Sequence, residues 1–245
     1  MMRKVLQGTL VVVASMLANL PASAAVVGNW NSSLRTWNNV EMANLKGIVT
    51  TAGHTVLADA AITAGLGGAT VYVVGEGTVA PTAGELTILE NWVAAGGRLL
   101  LFNNSGCSGC TATTAILTAL SSSISVSGTS AVAAPFPTSP FTTTPNNLVG
   151  LTLVTSPGDE VVGGTQIAGS FISYQAHGAG YVFVFGDRSD HNIFNSTATD
   201  INAQLFLNIL AGGVPAEAIP AVGLLGLLIL FACVAAAGFL ILRTR

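Results

Sequence analysis

Charge is what this chain lacks. Only 8% of its 245 residues are charged, 8 Lys and Arg against 11 Asp and Glu. An ordinary globular domain carries about 25%. The shortage of bases excludes a nucleic-acid-binding surface built on Lys and Arg. Disorder is excluded as well, because disordered chains are poor in apolar residues and 51% of this chain is apolar. No Walker loop, zinc-protease helix or Gly-x-Ser-x-Gly elbow occurs. No internal repeat is present. A scarcity of charge this deep needs a cause, either membrane-directed segments or an unusual surface.

Both ends carry apolar runs. Arg3 and Lys4 precede the stretch Leu10–Leu17, Pro21 breaks it, and Ala22-Ser23-Ala24 offers small residues for cleavage before Ala25. Residues 1–24 therefore read as a secretory signal peptide. At the other end, residues 219–242 hold no charge. As a helix they would extend about 36 Å, enough to cross a hydrocarbon core. Arg243 and Arg245 follow and mark a cytoplasmic end, residues 243–245. The expected topology exports residues 25–213 and leaves the tail inside.

The segment Val214-Pro215-Ala216-Glu217-Ala218-Ile219-Pro220-Ala221, followed by Gly223-Leu224-Leu225-Gly226, resembles the C-terminal sorting signals read by exosortase-type transpeptidases, the PEP-CTERM and IPTL-CTERM kind. The Ile219-Pro220 pair carries the likeness, within a linker and sorting motif at 214–220. The chain has no Pro-Glu-Pro triplet, and its basic end is two arginines. The resemblance implies the general secretion machinery and an exosortase-type transpeptidase as partners. It also implies processing near Pro220 and a location in a bacterial cell envelope, on its surface or in its matrix. A permanently retained single-pass anchor is the other reading of the same span.

Trimming these ends leaves the scarcity of charge in place. Between residues 25 and 218 there are four bases, Arg35, Lys46, Arg98 and Arg188, against all 11 acids, a net charge of −7. The exported part is charge-poor in its own right and rests on Ser, Thr, Asn and Gly for solubility. Such a surface attracts neither nucleic acid nor anionic lipid, and it suits contact with extracellular polysaccharide or matrix.

Strand and helix signals alternate along this part. Strands are expected at 25–30, 55–58, 70–74, 98–102, 167–174 and 181–185. Helices are expected at 38–51 (with Val40, Met42, Leu45 and Val49 on one face), 82–95, 111–120 and 199–210. Thr82 and Glu85 have the spacing of a capping box. The Ser/Thr/Pro-rich section 121–147 has weak strand signal, and ordered edge strands or a loose loop remain open. The order implies a three-layer α/β domain.

The segment LENWVAAGGRLLLF (89–102) resembles the helix, Gly-Gly and apolar strand of class I glutamine amidotransferase-like domains. GAGYVFVFGDRSDHNIFN and DINAQLFLNIL are similar to the closing strand and helix of their non-catalytic envelope relatives. The resemblance implies a flavodoxin-like, mostly parallel sheet, to which the C-terminal span adds one transmembrane helix.

An amidotransferase needs a thiol, a histidine and an orienting acid. Cys107 follows the apolar strand, and His177 and His191 are the partners available to it. The family's His and acid positions hold Gly186-Asp187-Arg188, so the triad does not carry over. Cys107 and Cys110 are the only cysteines of the exported part, and an oxidising compartment favours a disulfide between them. A redox-active Cys-x-x-Cys opening a helix is a further reading of the pair. Asp187, Asp190 and Asn192 form a polar cluster after the strand 181–185 that could offer oxygens to Ca²⁺, or simply cap a turn. No other cofactor is expected. His54, just past a helix end, reads as a cation complementing the helix dipole. Together these features lead to an exported binding or structural protein, with a thiol-dependent hydrolase on Cys107 as the alternative.

Overall fold

The computed structural model describes residues 24–154, 157–187 and 200–212, all within one compact unit that ends at Gly212. The signal segment 1–23, the sorting motif with Val214, Pro215, Ile219 and Pro220, the span 219–242, and Asp190, His191 and Asn192 lie outside the described residues. No helix among the described residues is long and apolar enough to cross a membrane.

Seven strands form one sheet. They are β1 (Val26–Asn29), β2 (Thr55–Val56), β3 (Val71–Gly75), β4 (Arg98–Phe102), β7 (Thr165–Gln166), β8 (Ile172–His177) and β9 (Gly180–Phe185). Their order is β2-β1-β3-β4-β9-β8-β7. The first five run parallel, and β8 and β7 are antiparallel additions at one edge. A separate antiparallel pair joins β5 (Ser125–Ser130) to β6 (Asp159–Val162). The helices are α1 (Ala43–Thr51), α2 (Ala83–Ala94), α3 (Cys110–Ala119), α4 (Pro140–Thr143) and α5 (Ile201–Ala211).

The central strands are apolar on both faces because helices cover both. Alternate residues of a strand point to opposite sides. Val71, Val73, Leu100, Phe102, Phe183 and Phe185 pack with Leu45 and Val49 of α1 and Leu205, Phe206 and Ile209 of α5. Tyr72, Val74, Leu99, Leu101, Val182 and Val184 pack with Leu89 and Val93 of α2 and Ile116 and Leu117 of α3. This is a mixed α/β domain in three layers around a mostly parallel sheet.

Local chemistry accounts for the element ends. Thr82 accepts from the Glu85 N–H, and the Glu85 carboxylate accepts from the Thr82 N–H at 2.8 Å, so the capping box is formed. Arg98 extends from the start of β4 to the last turn of α5, where Nη1 donates to the carbonyls of Ile209 and Leu210, each at 2.6 Å. Carbonyls of a last helical turn are short of partners within the helix, and the Ile209 carbonyl also accepts the capping Gly212 N–H at 3.2 Å.

Several expectations are corrected. Val40 is 87% exposed rather than on the buried face of the first helix. Residues 40–42 form a 3₁₀ turn, whose tighter winding rotates Val40 away, while Met42, Leu45 and Val49 are buried as expected and Ile48 joins them. Of the strand expected at 167–174 only 172–174 are strand, the start of β8; β7 precedes the expected range, and the residues between them turn at Gly169, where φ is +63°. A side chain there would meet the carbonyl of Val132. The section 121–147 is packed: it holds β5 and α4, with Phe136 and Phe141 buried. Phe141 meets Tyr174, Tyr181 and Phe183 edge-on at 5.0, 5.2 and 4.8 Å.

Candidate functional site

The sheet order places β2 on one side of β1 and β3 on the other, so the connections leave the carboxyl ends of β1 and β3 in opposite directions. Open α/β sheets form their ligand crevices at such a point. Here the chain fills the crevice itself. The loop after β1 brings Arg35 back to Gly75, with the Arg35 N–H donating to the Gly75 carbonyl at 2.9 Å. Arg35 Nε donates to Glu76 Oε1 at 3.2 Å, and Ser108 Oγ donates to Glu76 Oε2 at 3.1 Å. The Glu76 side chain is 1% exposed. Its backbone sits in the left-handed region at φ +53°, a conformation that costs a non-glycine residue about 1 kcal/mol. The ion pair and the bond from the Glu76 N–H to the Phe102 carbonyl hold it there. The buried oxygens Asn29 Oδ1 and Asn103 Oδ1, at the ends of β1 and β4, have no hydrogen-bond partner among the described residues.

The Ser-Gly-Cys-Ser-Gly-Cys loop crosses the same edge, beyond β4. Cys107 and Cys110 are joined in a disulfide. Cys110 is the first residue of α3, and Cys107 is also left-handed, at φ +64°. What holds Cys107 is Asp159, the first residue of β6. Both of its carboxylate oxygens accept the Cys107 N–H, at 3.2 and 3.0 Å. Asp159 Oδ2 lies 4.0 Å from Cys110 Sγ. Asp159 is 1% exposed. Burial raises its carboxyl above the ordinary 3.8, and the N–H groups of Cys107 and Gly106 offset part of that.

Closing a four-residue loop removes little freedom from the unfolded chain. The chain-entropy relation gives about 2 kcal/mol for so short a loop, and α3 already orders Cys110. As a staple the disulfide therefore contributes little.

Among the described residues, one group has metal-ligating atoms clustered within 4.8 Å: Cys107, Cys110 and Asp159. The two sulfurs are bonded to each other, so the group is a disulfide facing a carboxylate rather than a ligand set. Asp187 is buried at the end of β9, next to Gly186, whose carbonyl accepts the Asp159 N–H at 2.6 Å. The other two members of its proposed Ca²⁺ cluster, Asp190 and Asn192, are outside the described residues.

The structure does not bring Cys107 and His177 together. His177 pairs with Gly180 at the β8–β9 hairpin, on the amino side of β9. Cys107 lies beyond the carboxyl side, where Phe102 pairs with Phe185. Five strand steps separate these ends, about 17 Å. His54 is a neutral acceptor rather than a cation: its Nδ1 accepts the Ala25 N–H at 3.0 Å. Burial, then the charge of Arg98, holds its pKa below the ordinary 6.5.

Sequence reasoning missed Asp159, Glu76 and Arg35. Each is distant in sequence from the loop it serves, and no local pattern marks any of them.

No family model matches the chain, and no curated protein sequence matches it. Solved structures do. The mmIFT52 N-terminal domain superposes with a TM-score of 0.60 at 12% identity, over 79% of this chain and 99% of that one. Two proteins of Salmonella typhimurium are also similar, the cytoplasmic proteins STM3548 and STM1381. Their TM-scores are 0.54 and 0.52, at 11% and 12% identity, each over 76% of this chain and 97% of its own. At such identities the likeness extends to the fold alone.

Proposed function

We propose that this chain is an exported bacterial envelope protein whose α/β domain has a binding or structural role at the cell surface or in its matrix. The observation that carries the reading is the Cys107–Cys110 disulfide. Such bonds form and persist in oxidising compartments outside the cytoplasm. It engages both cysteines of the domain, leaving no thiol for hydrolysis. The placement of His177 at the far end of the sheet also argues against a hydrolase built on Cys107. The order of the parallel strands, 2-1-3-4 followed by β9, is that of flavodoxin-like sheets. It supports the resemblance to non-catalytic glutamine amidotransferase-like domains. The crevice of that fold is closed here by Arg35, Glu76 and Ser108, which favours recognition by an outer surface over catalysis in a pocket.

In this reading the secretion machinery removes residues 1–24. The C-terminal span then delivers the domain to an exosortase-type transpeptidase or retains it as an anchor. Mass mapping of both termini, on protein from the envelope fraction of a native host, tests it. The expected N-terminus is Ala25. A C-terminus near Pro220 supports sorting, and one at Arg245 supports the anchor. An intact Met1 on protein recovered from the cytoplasm would overturn export.

A further inference from the structure

We propose that Cys107, Cys110 and Asp159 form a thiol–disulfide exchange site, with Asp159 handling the proton of Cys110 and a dithiol as the reacting partner. The proposal goes beyond the binding or structural role and does not depend on it.

Three features carry it. The bond closes a Cys-Ser-Gly-Cys loop that adds little stability, and both cysteines are partly exposed, open to an incoming thiol. Cys110 opens α3, where the positive end of a helix favours a thiolate. Asp159 is buried with an oxygen 4.0 Å from Cys110 Sγ, and its carboxylate also accepts the neighbouring Cys107 N–H. The carboxylate lies within 4.8 Å of both sulfurs of this partly exposed disulfide, and its 4.0 Å contact is with Cys110 Sγ, which distinguishes the two.

The step balances as follows. A thiolate of the partner dithiol attacks Cys107 Sγ, forming a mixed disulfide and breaking the Cys107–Cys110 bond. Cys110 leaves as a thiolate and is protonated from solvent by way of the Asp159 carboxylate. The partner's second thiolate then attacks its own sulfur of the mixed disulfide. Cys107 departs as a thiolate and is protonated from water. The partner is oxidised by two electrons and this chain is reduced by two. In the reverse direction Asp159 accepts the Cys110 proton as that sulfur attacks a mixed disulfide on Cys107.

The test is the rate at which dithiothreitol reduces the purified, oxidised chain, followed by alkylation and mass measurement. The native bond is expected to react about tenfold or more faster than the same bond in urea-unfolded chain. Asp159→Asn keeps an oxygen for the Cys107 N–H but handles no proton, and it is expected to remove that advantage. A native bond no faster than the unfolded one, or an Asp159→Asn rate equal to wild type, overturns the proposal. If Asp159→Asn fails to fold by circular dichroism, the single-cysteine variants decide. With oxidised glutathione, Cys107→Ser is expected to form the mixed disulfide on Cys110, whose thiolate the helix start and Asp159 favour, about tenfold faster than Cys110→Ser forms it on Cys107. Equal or reversed rates would overturn the assignment. Because the assay starts from oxidised protein, its failure leaves the export reading intact, and free thiols in the native host would count against export alone.

Discussion

Asp159 and Cys107 are 52 residues apart in the chain, yet both carboxylate oxygens of Asp159 accept the one backbone N–H of Cys107. The bond holds a left-handed cysteine over the carboxyl edge of the sheet. It makes the loop's shape depend on β6 more than on the disulfide. Replacing both cysteines by serine is therefore expected to lower stability by no more than about 2 kcal/mol. Asp159→Ala, which leaves the Cys107 N–H without its acceptor, is expected to cost as much or more. Urea melts of the two variants give the comparison.

Glu76 is the second anchor of that edge. Its carboxylate receives Arg35 on one oxygen and Ser108 on the other, out of contact with solvent. Glu76→Gln removes the charge that the Arg35 guanidinium faces. The expected loss is about 2 kcal/mol, or a fall in Tm of about 6 °C for a domain of this size. Thermal melts followed by circular dichroism measure it.

Arg98 closes the C-terminal end of α5 through two carbonyls. Burial lowers its pKa to about 10, so it stays charged at neutral pH. Arg98→Met keeps the stem and loses both charge-assisted bonds. A loss of about 2 kcal/mol is expected, with amide exchange faster in the last turn of α5 than elsewhere. Hydrogen exchange mapped by peptide checks the location.

His54 gives a pH dependence whose sign is set by its lowered pKa. A histidine whose folded pKa is depressed binds protons better in the unfolded chain. Its contribution is full above the unfolded value near 6.5 and is lost as pH falls through that value toward the lower folded one. Tm is expected to drop between about pH 7 and pH 5, and His54→Gln is expected to flatten that part of the curve. A drop of the same size in the variant would assign it to other groups.

The elements that could be read from sequence were those with dense local signals. The capping box at Thr82 and Glu85 and the apolar runs of β3, β4 and β9 lie within a few residues of their expected bounds. Failures came where tertiary contact replaces periodicity. The section 121–147 is held by isolated aromatics, Phe136 and Phe141, with no repeating pattern. The short β6 has an alternation too brief to mark a strand, although its first residue is Asp159. The candidate site was legible by half. The two cysteines and their position after β4 stood in the sequence, while the carboxylate that faces them comes from a strand 49 residues after Cys110.

The central claim is that Cys107 and Cys110 are joined outside the cytoplasm. Two-label thiol trapping on intact native host cells tests it most directly. A first alkylating reagent blocks free thiols, the protein is then denatured and reduced, and a second reagent marks the sulfurs that were bonded. The account predicts the second label on both Cys107 and Cys110, in protein recovered with the envelope. The first label on both residues, in protein recovered with the cytoplasm, would contradict it.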